Sequence, residues 1–233
     1  MRWLYLLTLP LILGCSQMTQ RGSSSLFLPM GSVGSSATVK VDVKPSSELK
    51  FNNIVRQKLD YSCGSATVAT IFRYYLHLPV EEESVTREMF EKGNREKIAK
   101  RKGFSLLDMK RYAERKGYRA YGIKTTIKGL ASLHKPVIVT IVINNYKHFV
   151  VFRGIYRGRV FIADPAFGNT VMSVKEFEKA WYRGIALVIE SDVEDDNHKL
   201  AISEEDMRTV NAGSLRGELL PPVLPTYTYS TDF

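Results

Sequence analysis

Cysteine is scarce in this chain of 233 residues, with only Cys15 and Cys63 present. Two cysteines cannot build the multiply bridged scaffold of a small secreted domain. The four histidines, His77, His134, His148 and His198, are scattered, and the sequence contains no C-x-x-C or H-x-x-x-H. No metal centre is therefore read, and no cofactor. A phosphate-cradling glycine loop and a G-x-S-x-G elbow are both missing, so neither nucleotide chemistry nor a serine-hydrolase site is expected. No internal repeat is visible. The longest apolar run, 3–13, is too short to cross a bilayer of about 30 Å as a helix. Charge of one sign is in excess, 33 basic against 24 acidic residues, but the basic residues do not form one block. They concentrate in 87–119, mixed with glutamates at helical spacing, which reads as a solvated helix face rather than a nucleic-acid surface.

What is present begins at the N-terminus. Met1-Arg2 and the apolar stretch 3–13 have the form of a signal peptide. The stretch ends in Ile12-Leu13-Gly14-Cys15, which resembles the lipobox of bacterial lipoproteins. That resemblance implies lipid attachment at Cys15 and a location at a bacterial periplasmic membrane. The alternative is an uncleaved anchor, and both readings export the protein and leave it at a membrane. If Cys15 carries lipid, Cys63 has no partner for an intramolecular disulfide.

Residues 16–36 are rich in Ser and Gly and read as a flexible tether, followed by a short alternating strand at 38–43. From Cys63 the apolar positions Val68, Ile71, Phe72, Tyr75 and Leu76 recur at helical spacing, and Pro79 should stop that helix. A charged helical segment covers 81–102, with Gly93 as a weak point. Ser105 and Asp108 form a capping-box pattern that opens a helix through Arg115. Strands are expected at 118–125, 137–143, 148–154, 159–164 and 184–189, with short helices at 130–133 and 173–181. The β-branched run VIVTIVI at 137–143 reads as a fully buried strand. Helices first and an antiparallel sheet second define an α+β domain. Beyond 190 the chain turns acidic, then proline-rich, and 191–233 reads as mostly disordered.

The stretch QKLDYSCGSA, 57–66, places Cys63 at the mouth of a helix. A helix start offers unpaired N–H groups and partial positive charge, which favour a thiolate. A buried structural cysteine is the competing reading. His148 and Asp164 lie eight residues either side of Tyr156, so a hairpin centred there would set them opposite each other on one face. An Asp beside a His fixes its tautomer and supports its cation. Gln57, in the turn before Cys63, is a candidate oxyanion donor. Asp60 is a candidate helix cap and Tyr61 a candidate cleft residue.

QKLDYSCGSA, KHFVVFRGI at 147–155 and ADPAFG at 163–168 together resemble the bacteriocin-processing cysteine peptidases, which cut leader peptides after a double glycine. The resemblance spans about 51–190 and implies a papain-like fold. It assigns Cys63 as nucleophile, His148 as acid and base, Asp164 as its orienter and Gln57 as oxyanion donor, with no cofactor and no metal. The chain departs from the transporter-linked members, for it shows no transmembrane bundle and no ATPase motif. It resembles the stand-alone exported branch, whose members accompany secretion clusters, functional amyloid among them. The expected organisation is a signal peptide at 1–14, a lipid-attachment cysteine and tether at 15–47, a papain-like peptidase domain at 48–190 and a tail at 191–233. The expected substrate is a secreted protein or leader peptide of the same operon, cut through a Cys63 thioester. Two rivals remain open at this level: an idle peptide-binding module, and another papain-like acyl-transfer enzyme such as a transglutaminase or amidase.

Overall fold

The computed structural model describes residues 24–29, 38–43, 46–191, 198–204 and 206–207. The chain divides into two compact units, with the boundary between Ser46 and Ser47. In the first unit β1 (Ser24–Pro29) pairs antiparallel with β2 (Thr38–Val43), Leu26 opposite Val41 and Leu28 opposite Val39. The strand β2 was legible in its alternation, whereas β1 falls inside the stretch expected to be tether. Its six residues end in proline and are flanked by Ser and Gly, and that composition hides the strand. Cys15 and the expected signal peptide lie outside the described residues.

The second unit is the α+β domain. After α1 (Ser46–Lys50) come α2 (Cys63–Tyr74), α3 (Glu82–Lys92), α4 (Arg95–Arg101) and α5 (Leu106–Arg115). The remaining elements are β3 (Ala120–Lys124), α6 (Ile127–Ala131), β4 (Val137–Ile143), β5 (Tyr146–Tyr156), β6 (Arg159–Asp164), β7 (Gly168–Ser173), α7 (Val174–Ala180) and β8 (Trp181–Ile189). The six strands form one antiparallel sheet in the order β3-β8-β4-β5-β6-β7. Helices α2, α3 and α5 share a core with Ile138, Val151, Ala163 and Leu187 of the sheet. A second core holds Val139, Val150, Phe152, Ile162, Leu130 of α6 and Phe177 of α7. The alternation of strand side chains separates the two cores, one on each face of the sheet.

The break expected at Gly93 is real: α3 stops there, and Asn94 starts α4 by accepting from the Lys97 N–H at 2.9 Å. The Ser105–Asp108 capping box forms as its spacing requires. Strand β7 was not expected, since GNTVMS has neither an apolar run nor strict alternation. It forms by pairing with β6 along its whole length.

Helix α2 differs from the one-sided helix that its apolar spacing predicts. Every residue from Cys63 to Phe72 is buried. Small residues let neighbours approach from all sides. A Cβ on Gly64 would lie 2.7 Å from Met109 Cε of α5. The hydroxyls of Ser65, Thr67 and Thr70 return to backbone carbonyls three or four residues back, so no polar atom among them is stranded. Phe72 is fully buried, with Tyr112 and Tyr118 edge-on at 5.3 Å.

The expectation of a mostly disordered region after 190 is corrected for 198–207. There Leu200 is buried in the first core, and the Lys199 N–H donates to the Tyr74 carbonyl at 3.0 Å. Leu200, the buried His198 ring against Tyr75 and the Asp206 carboxylate paired with Arg153 dock a segment whose composition reads as solvated.

Phe72→Ala should cost about 3–5 kcal/mol, because the void is walled by two aromatic rings that cannot both collapse into it. Denaturant unfolding of the two proteins measures this, and a loss under about 1 kcal/mol would contradict the packing described.

Candidate active site

Cys63 is the first residue of α2, and its N-cap, Ser62, makes no side-chain capping bond. Ser62 Oγ instead donates to the Leu59 carbonyl at 2.9 Å and closes the preceding turn. Asp60, the expected cap, is exposed and does not serve as one. The N–H groups of the first turn are thus left unspent by side chains at the point where the thiol sits. Thr67, one turn on, reaches both the Cys63 carbonyl, 2.6 Å away, and the Phe149 carbonyl of β5, 3.1 Å away. It ties the start of α2 to the strand beside His148. Nothing in the sequence marked it, because a threonine in a helix has many commoner uses.

His148 Nε2 lies 2.8 Å from Asp164 Oδ1. Cys63, His148 and Asp164 are 5, 5 and 4% exposed. The Asp164 carboxylate is itself held: Oδ1 accepts from the Ala166 N–H at 2.7 Å and the Phe167 N–H at 3.1 Å. Phe167 and Tyr146 flank the imidazole, with ring centroids 6.4 and 6.5 Å away. Tyr146 also donates to the Asp60 carbonyl at 3.2 Å, linking β5 to the loop before α2.

The pairing is reached by a different register from the one the sequence suggests. The β5–β6 turn is Arg157-Gly158, both at positive φ (46° and 71°), so Tyr156 pairs with Arg159. Continued unbroken, that register would set Asp164 opposite Val151, on the face away from His148. A bulge between Phe152 and Gly154 shifts the pairing by one, so that Phe152 meets Ile162 and Val151 meets Ala163. Asp164 then falls opposite Val150, two residues from His148 and on its face. The two are diagonal neighbours, not a directly opposed pair. The turn lies one and a half residues further along than expected and the bulge takes back one residue of register, a net shift of two residues that keeps His148 and Asp164 on one face.

Gln57 is brought beside the same site by its backbone, whose N–H donates to the Pro165 carbonyl at 3.0 Å. Its side-chain Nε2 donates to the Leu59 carbonyl at 3.1 Å, and its Oε1 is buried without a protein partner. One amide proton is therefore engaged next to the helix mouth, and the second is the only one available to a ligand. Tyr61 is half exposed and lines a cavity of about 870 Å³ together with Leu59, Phe90, Ile98 and Phe104. Cys63, His148, Asp164 and Gln57 are not among the residues that line this cavity. Among the described residues no group of three His, Cys, Asp or Glu is placed to hold a metal. No described helix is long and apolar enough to cross a membrane.

Burial alone pulls His148 toward its neutral form. Hydrogen bonds to Asp164 and Cys63, and the charges on both, outweigh it and push the imidazole up to about 9 from an ordinary 6.5. The site therefore favours imidazolium at neutral pH, held between a carboxylate and a sulfur. A cysteine at an uncapped helix start, a histidine at a strand end and a fixed carboxylate have the geometry of nucleophile, acid–base and orienter.

Such a constellation, where helix α2 meets an antiparallel sheet, is that of a thiol peptidase. Residues 52–194 match the model of the Peptidase C39 family, and the chain belongs to that family and is a cysteine peptidase. It is similar to a Pseudomonas fluorescens protein named "Probable functional amyloid protease FapD", 39% identical over 153 residues, 66% of this chain and 67% of that one. A Pseudomonas aeruginosa protein of the same name is 39% identical over 147 residues, 63% and 64% of the two chains. The chain thus spans about two thirds of the length of these relatives. Among solved structures, the peptidase domain of Streptococcus ComA, a bifunctional ABC transporter of a quorum-sensing pathway, matches at 23% identity and TM-score 0.49. That match covers 59% of this chain and 97% of that domain. A double-glycine-motif protease from an AMS/PCAT transporter, in complex with its leader peptide, matches at 26% identity and TM-score 0.48. It covers 58% of this chain and 89% of that one.

Because the folded histidine titrates above its unfolded value, its contribution to stability is full below about pH 6.5 and is lost as pH rises through about 9. Asp164→Asn removes one charge that supports the cation. The fall in melting temperature between about pH 6 and about pH 9.5 should shrink in Asp164→Asn relative to wild type. An undiminished fall would mean that Asp164 does not support the cation.

Proposed function

We propose that this chain is an exported, membrane-attached endopeptidase that cuts a peptide bond in a secreted protein or its leader peptide. The observation that carries the reading is the buried Cys63–His148–Asp164 constellation where the start of α2 meets β5 and β6. In this reading the Cys63 thiolate attacks the scissile carbonyl carbon, and the oxyanion is received by the Cys63 N–H and the second amide proton of Gln57. His148 gives its proton to the leaving amine, leaving a thioester on Sγ. It then takes a proton from water, whose oxygen attacks the thioester carbonyl, and the acid product leaves as the thiolate re-forms. Asp164 keeps the ring oriented and supports its cation throughout. No cofactor enters the scheme.

The names of the two Pseudomonas relatives support a functional-amyloid protein as the substrate. The cleft beside the helix mouth supports an extended or helical segment with apolar anchors, because Leu59, Tyr61 and Phe90 stay 46, 49 and 41% exposed around it. The lipobox-like ILGC supports attachment through lipid on Cys15, facing the bacterial periplasm, which would also keep Cys63 free of a disulfide partner.

Cys63→Ala should leave the chain folded and abolish cleavage of a secreted protein encoded beside it. Iodoacetamide should alkylate folded wild-type protein near neutral pH and do so more slowly in His148→Ala. Cleavage that survives in Cys63→Ala would end the thiol-peptidase mechanism. Phe90→Ser should raise KM about ten-fold with kcat little changed, since an exposed anchor is removed without touching the reacting groups. An unchanged KM would move the substrate elsewhere on the surface. Palmitate should label the wild type in a bacterial host and be absent from Cys15→Ser, and equal labelling of both would reject the lipid site.

A further inference from the structure

The bulge that brings Asp164 onto the face of His148 consists of Arg153 and Gly154 opposite Phe161. Glycine has no side chain to hold that geometry, and its φ of 154° lies outside the usual extended range. Arg153 is the residue that can hold it. Its side chain is only 5% exposed, and all five of its N–H donors have acceptors. Nε donates to the Leu200 carbonyl at 2.9 Å. Nη1 donates to Asn169 Oδ1 of β7 at 2.7 Å and to Asp206 Oδ1 at 2.8 Å. Nη2 donates to the Ala201 carbonyl at 2.8 Å and to Asp206 Oδ2 at 2.7 Å. Four of these five acceptors belong to the segment 198–207, and the pair with Asp206 is bidentate. The segment is fixed in turn. Asp206 Oδ2 accepts from the Ser203 N–H and Oγ, both at 2.8 Å, and the Lys199 carbonyl accepts from Asn53 Nδ2 at 3.1 Å. Ile202 Cδ1 lies 3.0 Å from where a Cβ on Gly154 would be, so the segment packs directly against the bulge.

A guanidinium deprived of these acceptors does not stay buried; it moves to water and takes the bulge backbone with it. Loosening the bulge releases the constraint that keeps Asp164 on the face of His148. We propose that Arg153 is a positioning residue for the His148–Asp164 pair, and that segment 198–207 is the clamp through which it acts. Peptidase competence then depends on that segment being docked, although it lies more than thirty residues past Asp164 in sequence and donates nothing to the reacting groups. The inference rests on the peptidase reading of the site for its effect on turnover, but not for its effect on geometry.

The test uses the full chain with Asp206→Asn, Arg153→Met, Asp206→Glu and, as a packing control remote from the bulge, Val85→Ala in α3. Two readouts are taken: kinetics on the substrate, and the NMR titration of His148, whose ring faces Cys63, Asp164, Tyr146 and Phe167. Asp206→Asn and Arg153→Met should lower kcat about ten-fold or more with KM within about two-fold. Both should move the His148 titration downward from about 9. Asp206→Glu should recover both, and Val85→Ala should lower the melting temperature without moving the titration. If Arg153→Met fails to fold, Asp206→Asn decides. Wild-type kcat and His148 titration in Asp206→Asn would overturn the proposal, as would a titration shift in Val85→Ala as large as in Asp206→Asn. The His148 titration needs no substrate, so it judges the clamp even if Cys63→Ala were to retain activity and the peptidase reading failed.

Discussion

A two-residue hairpin turn fixes which residues of its strands share a face, and every later pair inherits that parity until something breaks it. In β5 and β6 the turn at Arg157-Gly158 would send Asp164 to the wrong side of the sheet, and the bulge at Arg153 and Gly154 brings it back. The chemistry of the site hangs on that single inserted residue. With it, a carboxylate lies 2.8 Å from His148 Nε2 in a buried setting. Without it, the same two residues are on opposite faces of a well-packed sheet.

The thiol side of the site is set by different means. Cys63 is presented by a helix made of small residues, buried on every side, whose start is left without a side-chain cap. Close packing of Gly64 on Met109, and the double contact of Thr67 with the Cys63 and Phe149 carbonyls, fix that start relative to β5. Burial then magnifies the electrostatics. The imidazolium is favoured because its two neighbours are held close, and desolvation, which opposes it, is outweighed. Rigidity and pKa therefore have a common cause in packing.

The two halves meet at the loop after β6. Asp164 is steadied by the Ala166 and Phe167 N–H groups, and the next carbonyl, that of Pro165, accepts from the Gln57 N–H. The orienting carboxylate and the oxyanion candidate are thus positioned by one short turn. The far end of the chain enters the same arrangement through Arg153. Residues 198–207 look like solvated tail by composition, yet they supply most of the acceptors for a buried guanidinium.

The sequence by itself determined a good deal. It identified α2 from apolar spacing, α5 from a capping box, β4 from a β-branched run, and the α+β class from the order of elements. It also singled out Cys63, His148, Asp164 and Gln57, the thiol from its place at a helix start and the set of four through the resemblance of three short motifs to a peptidase family. Such features depend on neighbours within a turn or a strand, which is what a linear pattern encodes. Only the tertiary structure decided how they meet. The bulge, the all-round burial of α2, the strand β7, the Thr67 bridge and the docking of 198–207 each depend on partners distant in sequence. Their energies come from contacts across the fold, and a residue such as Arg153 carries no local sign that five acceptors will converge on it.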